Sequence, residues 1–225
     1  MNYATLFETI QAYAENTFPS TSVNDTSSSA STFTGKEQID TFIRQAEQRI
    51  YNVVQLPDLR KNVTGTLTTN NKYLSVPLDW LSTFSLAVIA ADGSQTFLLN
   101  KDVNFIREAY PNATSTGLPV HYAYFNDDAF IVGPTPDSGY SVELHYGYYP
   151  ESIVTAGTTW LGDEFDSALL NGALVEAIRF MKGEPDLVAL YERLFLQALG
   201  LLKNLGDGKL REDAFRSGQL RVPVT

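Results

Sequence analysis

The apolar period of this chain changes twice, from about 3.6 residues to two and back, and that order constrains the fold more than any other feature. Residues 3–16 place Leu6, Ile10 and Tyr13 or Ala14 on one helical stripe. Thr34-Gly-Lys-Glu37 has the spacing of a capping box. Behind it Ile39, Phe42, Ile43, Ala46, Ile50 and Val53 keep helical spacing until Pro57. From about residue 62 to 149 the pattern alternates, predicting strands at 63–69, 72–76, 83–91, 95–99, 120–125, 129–133 and 140–149. Asn70-Asn71, Asp92-Gly93, Asn126-Asp127-Asp128 and the segment 134–139 supply the turns, and a short helical turn interrupts near 102–109. After Pro150 the helical period returns over 163–182, with Leu170, Leu174, Ala177, Ile178 and Met181 on one stripe. It resumes over 187–205, behind Pro185 and ahead of Gly206-Asp-Gly208.

Helices at both ends with strands between them require the two terminal parts to meet in space. The expected class is α+β, with a discontinuous helical body (1–60 and 155–206) carrying an inserted antiparallel β-sandwich-like domain (61–154). A flexible tail is expected over 207–225. The Ser/Thr-rich stretch 17–34 buries little apolar surface and is expected to be a loop without order of its own.

The helix at 187–205 is unusual, because 13 of its 19 residues are apolar. A surface helix needs an apolar stripe only about 100° wide, so this one demands cover on several sides. Glu192, Arg193 and Gln197 interrupt any membrane-spanning run. Either the helix is the centre of the chain's own core or a neighbouring subunit covers it. On the second reading Leu187, Tyr191, Leu194, Phe195, Leu199 and Leu202 form a subunit interface.

The formal net charge is −10, from 26 acidic and 16 basic residues, opposite in sign to a protein built to grip nucleic acid. Residues 1–35 carry −3, residues 206–225 carry +1 and the middle carries −8. An acidic body with a mildly basic end suggests a contact made by that end. The sequence has no cysteine, which excludes disulfides, thiolate metal sites and cysteine nucleophiles and fits synthesis in a reducing cytoplasm.

Chemistry-bearing patterns are sparse. The only histidines, His121 and His145, fall on the less apolar faces of their strands. In a meander they would sit two strand spacings apart, roughly 10 Å. That is too far to share a metal at bonds of about 2 Å. Asp127-Asp128 sits where a hairpin favours Asn and Asp, and Asp163, Glu164 and Asp166 sit where a helix start favours acids. Gly206-Asp-Gly-Lys209 follows a helix and lacks phosphate-loop spacing. No set of nucleophile, base and oxyanion donors assembles, so no catalytic residue, metal or cofactor is expected.

Three segments resemble the head-to-tail connector (adaptor) proteins of tailed bacteriophages. They are Arg49-Ile-Tyr-Asn-Val-Val-Gln-Leu-Pro57-Asp-Leu-Arg, Tyr73-Leu-Ser-Val-Pro77-Leu-Asp-Trp80-Leu, and Leu144-His-Tyr-Gly-Tyr-Tyr-Pro150-Glu-Ser-Ile with Trp160-Leu and the run 169–177. The resemblance spans about residues 36–205 and rests on structural motifs. It implies a virion protein of the neck, a ring (a dodecamer in that family) around a DNA channel, bound to the portal protein above and a tail or nozzle protein below. No sequence-specific nucleic-acid binding and no membrane are implied. On that resemblance Lys209, Arg211, Phe215, Arg216 and Arg221 are candidate portal-docking residues. A neck or tail-completion protein that binds only the tail side, and a carbohydrate-binding β module, are the competing expectations.

Overall fold

The computed structural model describes residues 1–23, 31–90, 92–112 and 114–216, with the backbone alone described at 21–23, 31–32 and 209–216. The class is α+β. The chain divides into two compact units, one from Met1–Pro57 with the chain from Pro150 onward, the other Asp58–Tyr149.

The helical unit begins with α1 (Tyr3–Ala14), capped by the Asn2 side chain, which accepts from the Thr5 N–H. Helix α2 (Gly35–Val53) starts with the expected capping box: Thr34 accepts from the Glu37 N–H and Glu37 accepts from the Thr34 N–H. Between them the Ser/Thr-rich stretch is not the orderless loop its composition suggests. Strands β1 (Thr21–Val23) and β2 (Ser31–Phe33) pair antiparallel, while residues 24–30 lie outside the described residues. Anchors at both ends explain the order. Phe18 is buried with its ring 5.5 Å from Phe42. The buried Gln38 amide donates to the carbonyls of Pro19 and Phe33.

The C-terminal half contributes α4 (Ile153–Ala156), α5 (Trp160–Glu164), α6 (Asp166–Phe180) and α7 (Pro185–Arg216). The helix expected over 163–182 is broken at Phe165, and α6 is buried on all sides, not along one stripe. It packs against α1, α2, α5 and α7. Helix α7 does not stop at Gly206. A Cβ at that position would lie 2.6 Å from the Gln55 carbonyl oxygen, so Gly206 is a close-packing position inside the helix. The following Lys209-Leu-Arg-Glu are good helix formers and outweigh the cost of about 1 kcal/mol for each glycine. The flexible tail expected from 207 is therefore helical to Arg216, and residues 217–225 lie outside the described residues.

The second unit is a sandwich of two four-stranded sheets. Its elements are β3 (Arg60–Thr66), β4 (Tyr73–Ser75), β5 (Trp80–Ile89), β6 (Gln95–Phe97), β7 (Leu99–Asn100), α3 (Val103–Ala109), β8 (His121–Asn126), β9 (Ala129–Gly133) and β10 (Ser141–Tyr148). One sheet has the order β3-β10-β5-β6 and the other β4-β9-β8-β7, antiparallel except for the parallel β7–β8 pair. Alternation on β10 turns Val142, Leu144 and Tyr146 inward against Leu86 and Val88 of β5 and Tyr122, Phe130 and Val132 of the other sheet. Helix α3 covers that second sheet from outside, with Ile106 on Ala123 and Ile131.

Candidate assembly surfaces

Helix α7 is built from two faces of different exposure. On the inner face Phe195, Leu199 and Leu202 are buried. The Phe195 ring closes on Gly172 of α6, where a Cβ would sit 3.0 Å from it, and the Arg49 guanidinium stacks 4.8 Å from its centroid. Arg49 reaches Glu176 at 2.7 Å and Glu192 at 3.7 Å, and Arg179 reaches the same two carboxylates at 3.4 and 3.3 Å. Two guanidinium groups and two carboxylates thus tie α2, α6 and α7 along one edge. Each member has two partners, so removing one weakens the tie between the helices without leaving a charge unpaired.

The outer face is left uncovered. Leu187, Leu190, Leu194, Leu201 and Leu205 are 45, 39, 36, 69 and 39% exposed, and Tyr191 and Ala198 border them half-buried. Of the six interface residues named from sequence, the structure divides the set. Phe195, Leu199 and Leu202 are buried in this chain's own core. Leu187, Tyr191 and Leu194 lie along the open side together with Leu190, Leu201 and Leu205, which the sequence reading did not name. A signal for them was present: 187, 191, 194, 198, 201 and 205 follow alternating steps of four and three, the spacing of a helix-packing seam.

The residues named for portal docking fall into two groups. Lys209, Arg211, Phe215 and Arg216 lie on the last turns of α7, where only the backbone is described, and Arg221 lies outside the described residues. The other chemistry-bearing residues are scattered. His121 is on β8 with its Nδ1 2.9 Å from the Tyr110 hydroxyl, and His145 is on β10 in the opposite sheet, so the meander expected to separate them does not exist. Asp128 donates its N–H to Asn126 within the hairpin turn, and Asp163 and Asp166 sit in the first turns of α5 and α6. Among the described residues no three His, Asp or Glu side chains are grouped to hold a metal, and no helix is long and apolar enough to cross a membrane.

On the outer face of β3-β10-β5-β6 a shallow groove of about 280 Å³ is lined by Asn62, Ser85, Ala87, Gln95, Phe97, Glu143 and His145. The amides of Asn62 and Gln95 donate to the two oxygens of Glu143, so these three side chains satisfy one another. In the loop before β5, Leu78 is fully exposed while its neighbour Asp79 is fixed. Asp79 accepts from the Tyr146 hydroxyl at 2.8 Å and from Lys61 at 2.8 Å. The Lys61 ammonium holds the Asp79 carboxyl below the usual carboxylate range.

Ion pairs tie the helices of this unit, a row of leucines on α7 stays exposed, and the polar groups described above are engaged in turns and caps. The chain belongs to the SU10 adaptor protein family, whose model matches residues 1–223, and is a phage structural adaptor. No curated protein matches the chain at a significant level.

Proposed function

We propose that this adaptor forms a ring beneath the portal, joins the capsid to the tail and continues the DNA channel in the neck of the virion. The observation that carries the reading is the match to the adaptor family over residues 1–223. Two physical features support it. The open leucine face of α7 calls for cover by another protein. The net charge of −10 suits a channel wall along which phosphates must slide, since a basic wall would hold them.

In this reading the end of the chain docks to the portal, with Lys209, Arg211, Arg216 and Arg221 as polar anchors and Phe215 as the apolar one. The assay is attachment to portal-bearing heads lacking their own adaptor. A chain truncated after Gly206, which lacks all five, and one with Lys209, Arg211 and Arg216 changed to Ala should each stay folded and lose attachment. Undiminished attachment by both refutes the docking assignment. The competing tail-side reading predicts capture by the tail or nozzle protein and none by the portal in a pull-down. A carbohydrate-binding reading draws on the Tyr-rich strands of the second unit, and a glycan array giving a clear ligand would favour it.

A further inference from the structure

We propose that the uncharged stripe of α7, running through Leu187, Tyr191, Leu194, Ala198, Leu201 and Leu205, is the seat of a second copy of this chain. The proposal rests on the adaptor reading above and names the surface through which copies join. At about 100° per residue these positions, with Leu190 beside them, occupy an arc roughly 100° wide over about 27 Å of helix. Between Leu187 and Leu205 no charged residue falls within the arc. Asp186, Glu192, Arg193, Lys203 and Asp207 all lie on the remaining circumference.

Charge narrows the choice of occupant. A nucleic acid needs cations, and the arc has none. An anionic bilayer needs a basic polar flank, and the five charged residues around this arc sum to −1. A second copy carries −10 and is repelled by most of this surface. It can approach closely only where charge is absent, and this is such a strip. The spacing of four and three suits a helix as occupant, since it keeps one row of side chains aligned with a partner helix crossing at about 20°.

Size then decides the mode. The exposed leucine area is on the order of 400 Å², within the range of patches that mark interaction sites. It is about half of the roughly 800 Å² per partner that a stable two-body interface buries. One such contact does not hold an isolated pair. A copy held by two neighbours in a closed ring makes the contact twice, once with its stripe and once with the surface that receives a stripe. Stripe-to-stripe pairing would satisfy the leucines in a two-fold dimer and leave nothing to extend.

The absence of cysteine makes the test direct. Leu201→Cys introduces a single thiol on the most exposed leucine of the stripe, to which a photoreactive benzophenone is attached through a maleimide. The labelled chain is assembled onto heads and irradiated, and adducts are identified by mass. The expected product is an adduct between two copies. Maleimide labelling of Leu201→Cys should also be at least tenfold slower in assembled particles than in dilute free chain. An adduct only to portal or tail protein, an adduct to lipid, or no adduct with unslowed labelling overturns the proposal. As a second arm, Leu194→Glu with Leu201→Glu should keep the helical circular dichroism and a cooperative melt, lowered by several degrees, while abolishing copy–copy adducts from a probe elsewhere on the unit. Persistence of those adducts overturns it. Failure of the adaptor reading looks different: the labelled chain is then not recovered with portal-bearing heads, whereas failure of this proposal leaves it on the heads without copy–copy adducts.

Discussion

Leu201 and Leu202 are adjacent in sequence and about 100° apart around α7. They sit in opposite environments, Leu201 69% exposed and Leu202 0% exposed. Changing each to Ala in turn tests how α7 is seated. For Leu202→Ala the loss combines transfer of the buried side chain with the cavity it leaves, about 3 kcal/mol within a range of roughly 2–5. For Leu201→Ala only about a third of the side chain is removed from a packed environment. Full burial is worth roughly 1.5–3 kcal/mol, so the covered share is about 0.7. The higher helix propensity of Ala returns about 0.2, leaving a net loss of about 0.5 kcal/mol. The assay is urea unfolding followed by circular dichroism at 222 nm, which reports chiefly on the helical unit. With an unchanged slope, the midpoint should fall several times further for Leu202→Ala. At roughly 4 °C per kcal/mol, the melting shifts are about 12 °C and about 2 °C. In attachment to portal-bearing heads the order inverts per unit of stability lost: Leu201→Ala impairs assembly while scarcely altering the fold. Equal losses of stability would refute the seating of α7 and the stripe drawn on it. So would a cost for Leu201→Ala above about 2 kcal/mol, the range of a fully buried side chain.

Three further outcomes follow from contacts within the units. Thr34→Ala removes the hydroxyl that accepts from Glu37 at the start of α2 and should cost about 1 kcal/mol in urea midpoint analysis. Burial raises the Glu47 carboxyl above the usual range, against the opposing hydrogen bonds from the Ile153 N–H and Ser152. A raised carboxyl favours the fold when protonated. Its contribution is therefore largest below the ordinary carboxylate pKa and is lost as pH rises toward the folded value. Glu47→Gln keeps an acceptor for Ile153 and should reduce that loss between pH 4 and 7.5, whereas Glu47→Leu leaves the N–H unmet and should cost about 1–3 kcal/mol at all pH values. Tyr146→Phe removes one donor to Asp79 and should cost about 1 kcal/mol, with Lys61 still holding the loop.

The elements are largely legible in the sequence because each depends on local pattern. The capping box at Thr34 and the alternation of β10 are properties of a few consecutive residues, and both stand in the structure. The pairing of strands is not legible. Strand β10 lies between β3 and β5, partners far earlier in the chain with six and four other strands intervening. Alternation says which face of a strand is buried and nothing of which strand lies beside it, so it leaves His121 and His145 in one meander when they belong to two sheets. Gly206 misleads for a related reason. From sequence a glycine after an apolar run marks a helix end, and only the approach of the Gln55 carbonyl reveals that here it serves contact. The candidate interface is half legible. Counting apolar residues on α7 detects a surplus but cannot tell Leu199 from Leu201, because that depends on where α6 lies.

The comparison of α6 with α7 gives the surplus its meaning. Both are apolar around most of their circumference, and by composition either could be the central helix. Helix α6 is central: it touches α1, α2, α5 and α7, and its buried residues point in every direction. With that place filled, α7 is left at the margin of the unit, packed on one side against α6 and the turn after α2. A marginal helix requires only a stripe of apolar residues to hold it, and Phe195, Leu199 and Leu202 supply it. The leucines flanking that stripe add little to the fold of a single chain and expose it to aggregation. Such a face is stable only if it is covered in the working state. In a chain of net negative charge, a cover that leaves the charge balance undisturbed is one that meets leucine with apolar side chains.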